Sequence, residues 1–222
     1  MQKPDQNQRM KRGNWINSRH LQCAVIARDA SGSMSEENRA RDASLATNEL
    51  TEELAHPANK DGFVLGIVDF DVDVTQMVPM AKASVMGRVT DISPGQATNI
   101  TAGLEKAEQL LEAAENDASL LPEGGRFLDH LVILFSDGGH NHGIQEPEEV
   151  AKRMADKGIL VVTVAFGKYA DKNRLKALSS KGQMFAECRT GQELRQFFAQ
   201  VGGTLAATVA AGTSFADGFL AD

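Results

Sequence analysis

Asp29, Ser31 and Ser33 occupy every second position of a short polar run, Arg28-Asp29-Ala30-Ser31-Gly32-Ser33-Met34, that follows an apolar stretch. In an extended turn alternate side chains point the same way, so one carboxylate and two hydroxyls line one concave surface. Hard cations such as Mg²⁺ take oxygen ligands in octahedral array and give up water reluctantly. Two more clusters carry the same donor type. Gly95-Gln96-Ala97-Thr98-Asn99 opens a helical pattern, and Ser136-Asp137-Gly138-Gly139 follows a second apolar run. Ser31, Ser33 and Thr98 offer three neutral oxygens, while Asp29 and Asp137 are suited to hold coordinated waters by charge-assisted hydrogen bonds. Direct ligands that are mainly neutral leave the cation much of its charge, which draws an anionic ligand into an open position. Oxygen-only ligands favour Mg²⁺ or Mn²⁺ over Zn²⁺, with Ca²⁺ a further candidate.

Each cluster has a plainer reading. Ser33 and Glu36 have the spacing of a capping box, so Ser33 serves equally as a helix cap. Asp29 alone reads as a turn residue and Gly138-Gly139 as a tight turn. A lone D-x-S-x-S is a weak signal; its specificity comes from the combination of the three clusters in this order.

The elements that must position these residues are of two kinds. Leu21–Ala27, Phe63–Phe70, Leu131–Phe135 and Leu160–Phe166 are short and apolar. Three of them are near-continuous apolar runs, as parallel strands covered on both faces require. Between them lie helical stripes: Ala43, Ala46, Leu50 and Leu54 within Ser35–Leu54, then Leu104, Ala107, Leu110, Leu111 and Ala114 within Thr101–Ala114. A third, Thr190–Leu205, opens on Thr190 and Glu193 at capping-box spacing and continues through Leu194, Phe197, Phe198, Val201 and Leu205. This alternation predicts an α/β fold with a mostly parallel sheet. Between Phe63–Asp69 and Val72–Val78 there is no room for a crossover helix, so those strands form an antiparallel hairpin at a sheet edge. In an open sheet of this kind ligands bind at the carboxyl ends of the strands, where all three polar clusters fall.

Composition narrows the function classes. Hydrophobic residues at 42% and charged residues at 24% describe an ordinary globular chain of 222 residues, and no apolar run reaches the length of a membrane span. Residues 1–20 carry a local charge of +4 against −7 for the chain, so the remainder stands at −11. An acidic body argues against nucleic-acid binding. The polar start, without an apolar leader, and two cysteines that form no disulfide framework point to the cytoplasm. Asp69-Phe70-Asp71-Val72-Asp73 has Val74 and Met80 where a calcium loop needs Gly and Glu, and reads as a polar hairpin turn. His140 and His142 read as exposed loop residues. No G-x-S-x-G elbow, Walker A loop, H-E-x-x-H or C-x-x-C is present.

At this point a resemblance becomes specific. Asp29-Ala30-Ser31-Gly32-Ser33-Met34 resembles the D-x-S-G-S-M of von Willebrand factor A (vWA) domains. Thr98-Asn99 resembles that family's G-x-T-N segment, and Leu134-Phe135-Ser136-Asp137-Gly138 its apolar-T-D-G strand end, with Ser136 in place of threonine. Gly158 to Gly167 and Leu194 to Phe197 resemble its last strands and closing helix, so the likeness covers about residues 20–208. It implies a Rossmann-like sheet with one antiparallel edge strand and helices on both faces. It also implies a metal-ion-dependent adhesion site in which Ser31, Ser33 and Thr98 bind the cation directly and Asp29 and Asp137 act largely through water. The organisation expected is a polar basic extension over 1–20, the vWA domain over 21–208 and a small-residue tail over 209–222, loosely ordered from Ala211 to Asp222. Two departures stand out: Gly95-Gln96-Ala97 precedes Thr98 where G-G or G-S is commoner, and Gly139-His140-Asn141-His142 has no counterpart. The function expected is a monomeric, non-enzymatic module whose protein partner supplies an Asp or Glu to the cation, with no nucleic acid and no membrane involved. Bacterial stand-alone proteins similar to the tellurite-resistance group are of this type. The alternatives are a Mg²⁺-dependent hydrolase or phosphatase using the same Asp/Ser cluster, and a scaffold that works through its acidic surface.

Overall fold

The computed structural model describes residues 19–137 and 139–220. The chain runs β1 (His20–Asp29), α1 (Arg39–Leu54), β2 (Phe63–Phe70), β3 (Val74–Lys82), α2 (Ile100–Glu115), β4 (Arg126–Ser136), α3 (Pro147–Asp156), β5 (Ile159–Phe166), α4 (Lys172–Leu178), β6 (Phe185–Cys188), α5 (Gly191–Ala211) and α6 (Phe215–Phe219). The sheet order is β3-β2-β1-β4-β5-β6. All neighbours are parallel except β2 and β3, the antiparallel edge pair that the short connection demands. This is the mixed α/β sheet expected from the alternation of apolar runs and helical stripes.

Successive strand residues point to opposite faces, and the sheet therefore feeds two cores. Ile26, Leu65, Phe135 and Val164 pack toward α1, α5 and α6. Val25, Val68, Leu134 and Val161 pack toward α2, α3 and α4. Burial on both sides explains why the central strands read as continuous apolar runs rather than alternating ones.

Two local expectations change. The first helix begins at Arg39, not Ser35, because Gly32–Asn38 forms tight 3-10 turns broken by Glu37 and Asn38 at positive φ (51° and 62°). The segment from Ala211 was expected to be loosely ordered. Instead α5 runs through Ala211, Gly212 turns the chain with φ of 69°, and α6 packs back with Phe215 in the core. Asp129 makes this ordered end possible: its carboxylate accepts from the Ser214 hydroxyl and the Phe215 N–H, both at 2.7 Å. Of the basic extension, residues 1–18 lie outside the described residues. Among the described residues no helix is long and apolar enough to cross a membrane.

Candidate metal centre

The strand order reverses direction at β1: β2 lies on one side of it and β4 on the other. At such a switch point the loops leaving the two strands diverge and open a crevice at their carboxyl ends. Arg28 pairs with Phe135 across β1 and β4, so Asp29 and Ser136, the next residue on each strand, meet at the floor of that crevice. The Ser136 hydroxyl donates a short hydrogen bond to Asp29 Oδ2, and the Ser31 N–H donates to Asp29 Oδ1 at 2.8 Å. Both carboxylate oxygens are thereby fixed. Burial pushes the Asp29 carboxyl up to about 6, against the opposing pull of the Ser136 and Ser31 hydrogen bonds, and the neighbouring Asp137 charge adds to the rise.

Ser31 Oγ and Ser33 Oγ lie 3.0 Å apart, and the Ser33 hydroxyl donates to Asp137 Oδ1 at 2.6 Å. Asp29, Ser31, Ser33 and Asp137 thus form one connected cluster drawn from two strands far apart in sequence. Ser33 is committed to Asp137 rather than to the helix that follows, which removes its reading as a cap. The other oxygen of Asp137, Oδ2, accepts from Arg39 Nη1 at 2.7 Å.

Thr98 reaches this face through an irregular segment whose backbone groups are satisfied by side chains. Asn48 of α1 donates to the Val89 carbonyl (3.2 Å) and accepts from the Val89 N–H (2.8 Å), and the Ser44 hydroxyl accepts from the Ile92 N–H (2.8 Å). Arg28, fully buried and bidentate to Asp69 at 2.5 and 2.7 Å, also donates to the Thr90 carbonyl. The Gly95 N–H then donates to the Ala30 carbonyl at 2.6 Å, laying the segment on the turn between Asp29 and Ser31. A Cβ on Gly32 would stand 3.2 Å from the Gly95 carbonyl oxygen and 3.3 Å from that of Gln96, so glycine permits this approach. On the other side Asn141 holds Thr98 twice: its Oδ1 accepts from the Thr98 N–H (2.8 Å) and its own N–H donates to the Thr98 carbonyl (3.0 Å). Thr98 is buried, as are Asp29, Ser31 and Asp137.

Several of these partners went unread in the sequence. Arg39 carried one signal: a cation in the first position of a helix opposes the helix dipole. Asn48 carried none, and Asn141 stood in a flagged stretch with no role to assign, because their bonds span more than forty residues. The two histidines separate. His142 is exposed, whereas His140 is partly buried and its Nδ1 accepts from the Ile100 N–H at the start of α2 (3.2 Å). Burial beside the Arg174 guanidinium holds its pKa below the usual histidine range, in keeping with a neutral ring that accepts. The three aspartates of the hairpin divide as well. Asp69 neutralises Arg28, and Asp71 ties the hairpin turn to the Thr98 segment by accepting from the Val72 and Gln96 N–H groups.

The donor set suits a hard divalent cation. Two hydroxyl oxygens 3.0 Å apart match the edge of an octahedron with metal–oxygen bonds of about 2.1 Å. Only two carboxylates enter the cluster, and among the described residues no group of three or more His, Cys, Asp or Glu side chains forms a cage of its own. Ser31, Ser33 and Thr98 would hold the ion, with Asp29 and Asp137 behind them.

Comparison with known proteins places this architecture. The family model for the von Willebrand factor type A domain matches residues 25–200. A search of curated proteins finds no match. Among solved structures, the pilus adhesin SpaC of Lactobacillus rhamnosus GG superposes with a TM-score of 0.68 at 15% identity, over 86% of this chain and 30% of the adhesin. Proximal thread matrix protein 1 from the mussel byssus, in a form with a zinc-occupied MIDAS motif, gives 0.64 at 21% identity over 86% of this chain and 47% of its own. BatB from Bacteroides thetaiotaomicron gives 0.58 at 16% identity, over 84% and 99%. The chain therefore spans less than half of the first two, and likeness at these identities is a likeness of fold. The match of the family model across most of the sequence, on the sheet and switch point described above, shows that the chain belongs to the von Willebrand factor type A family.

Proposed function

We propose that the chain is a divalent-cation-dependent protein-binding module. Ser31, Ser33 and Thr98 bind Mg²⁺ directly, Asp29 and Asp137 hold its waters, and an Asp or Glu of a partner protein completes the coordination. The observation that carries this reading is the pair of serine hydroxyls 3.0 Å apart, backed by Asp137 and placed at the mouth of the β1/β4 crevice. Neutral direct ligands leave the cation electrophilic, and a carboxylate is the hard oxygen donor that a neighbouring protein can present. The mussel relative's zinc-occupied motif supports a cation at this position in the fold, and the all-oxygen donors favour Mg²⁺ or Mn²⁺ here. Ile144 and Tyr169, both exposed, stand on the loops that leave β4 and β5 at this end of the sheet and give a partner apolar surface around the ion.

A hydrolase would need a base beside the metal. His140 has its Nδ1 lone pair committed to Ile100, which supports binding over turnover. Two free, buried cysteines accord with a cytoplasmic site of action. Kinship with the tellurite-resistance group belongs to the same proposal, resting on the motif residues alone. The test is a pull-down from source lysate with Mg²⁺ or with EDTA, repeated with Thr98→Ala. Partners retained only with Mg²⁺ and weakened about 30-fold or more by the substitution are expected. Partners indifferent to both EDTA and Thr98→Ala would show that the cation is not the recognition element.

A further inference from the structure

We infer that Arg39 sets the cation affinity of the site and keeps the loaded site electropositive, so that the loaded site draws an acidic ligand more strongly. This inference rests on the proposed cation site and goes beyond it by assigning the charge balance to one residue. Arg39 is 4% exposed, and its Nη1 lies 2.7 Å from Asp137 Oδ2, while Asp137 Oδ1 is taken by Ser33. Its Nη2 reaches Glu37 at 3.0 Å and Glu36 at 3.6 Å. The fold makes room for it. Gly167, at the end of β5, has φ of 94°, and a Cβ there would stand 3.1 Å from Arg39 Nε and 3.3 Å from Cζ. A side chain at 167 is therefore excluded twice, by backbone conformation and by the guanidinium. Arg39 Nε has no hydrogen-bond partner, and a cation in the first turn of α1 gains nothing from the helix dipole. Helix stability does not account for the placement, whereas charge does.

Two buried carboxylates give the site a charge of −2, and Arg39 reduces it to −1. Glu36 and Glu37 are largely exposed, and solvent screens them. A divalent cation then brings the site to +1, and one partner carboxylate brings it to zero. Without Arg39 the loaded site would already be neutral. It would hold the cation more tightly and pull on a carboxylate less. Arg39 thus weakens the hold on the cation and strengthens the pull of the loaded site on an acidic ligand.

The experiment is calorimetric titration of Mg²⁺ into wild type, Arg39→Gln and Arg39→Lys, each with and without acetate at constant ionic strength. Gln keeps a hydrogen-bond donor for Asp137 while dropping the charge; Lys keeps the charge. Acetate should tighten Mg²⁺ binding in wild type and in Arg39→Lys. Arg39→Gln should bind Mg²⁺ about tenfold or more tightly without acetate and show a smaller acetate enhancement. Thermal melts supply a second readout, because Mg²⁺ should raise the Tm of Arg39→Gln more than that of wild type. Mg²⁺ affinity in Arg39→Gln equal to or weaker than wild type, or an undiminished acetate effect, overturns the role of Arg39 alone. A wild-type protein that binds no Mg²⁺ overturns the cation site as well.

Discussion

At the scale of single residues the site is a problem of buried charge. Asp137 has Arg39 as a counter-ion, but Asp29 has only hydrogen-bond donors, and burial lifts its carboxyl from 3.8 to about 6. A folded-state value above the ordinary one means that the protonated form suits the fold better. The stability that this group contributes is present below about pH 4 and is lost as pH rises through 6, about 3 kcal/mol at 1.36 kcal/mol per unit. A cation offsets that cost only where Asp29 is ionised. Mg²⁺ should therefore raise the Tm more at pH 7.5 than at pH 5, by several degrees at about 2–4 °C per kcal/mol. Asp29→Asn should melt at or above the wild-type temperature without metal and show no Mg²⁺ shift at either pH. Differential scanning fluorimetry reads both, and an Asp29→Asn protein still stabilised by Mg²⁺ would remove Asp29 from the site. The sequence pointed to Asp29, Ser31, Ser33 and Asp137 because their types and spacing follow strand ends. It could not show Ser136 as the donor that fixes Asp29, since a serine ending an apolar run has no signature of its own.

At the scale of elements, what was legible had a period and what was hidden had a long-range partner. The core strands and the stripes of α1, α2 and α5 follow from apolar spacing, and Thr190 caps α5 by accepting from the Glu193 N–H at 3.2 Å. The same logic misplaced the start of α1. Ser33 and Glu36 have the spacing of a cap, but Asp137, more than a hundred residues away, takes the Ser33 hydroxyl. The segment carrying Thr98 has no periodicity at all and is shaped by Asn48, Ser44, Arg28 and Asn141. Asn48→Ala should show its dependence on these side chains. It leaves the buried Val89 N–H and carbonyl without partners, at about 1–3 kcal/mol for each group. Urea unfolding should report a loss of about 2 kcal/mol or more, and Mg²⁺ calorimetry a weakened affinity although Asn48 is no ligand. Lost stability with unchanged Mg²⁺ affinity would show that Thr98 is held independently of α1.

At the scale of the whole molecule the sheet order is the feature that makes a site. The strands β1 and β4 run parallel side by side, the loops that leave their carboxyl ends diverge to opposite sides of the sheet, and the polar residues after each strand gather in the crevice between them. That convergence follows from α/β alternation, so the face was legible from the sequence. The partner was not, because on the proposed function recognition would rest on exposed loop residues such as Ile144 and Tyr169, which no internal packing constrains. A cation held at the crevice, as proposed, would have the opposite sign to the acidic body and would be the focus for an acidic partner on a surface that otherwise repels one. The most direct test of this account is anomalous diffraction from crystals soaked in Mn²⁺. A single strong peak between Ser31 Oγ, Ser33 Oγ and the Thr98 hydroxyl, absent in crystals of Asp29→Ala, is the predicted result. No peak there, or a peak at Asp71 and Asp73 or at His142 in its place, would contradict it.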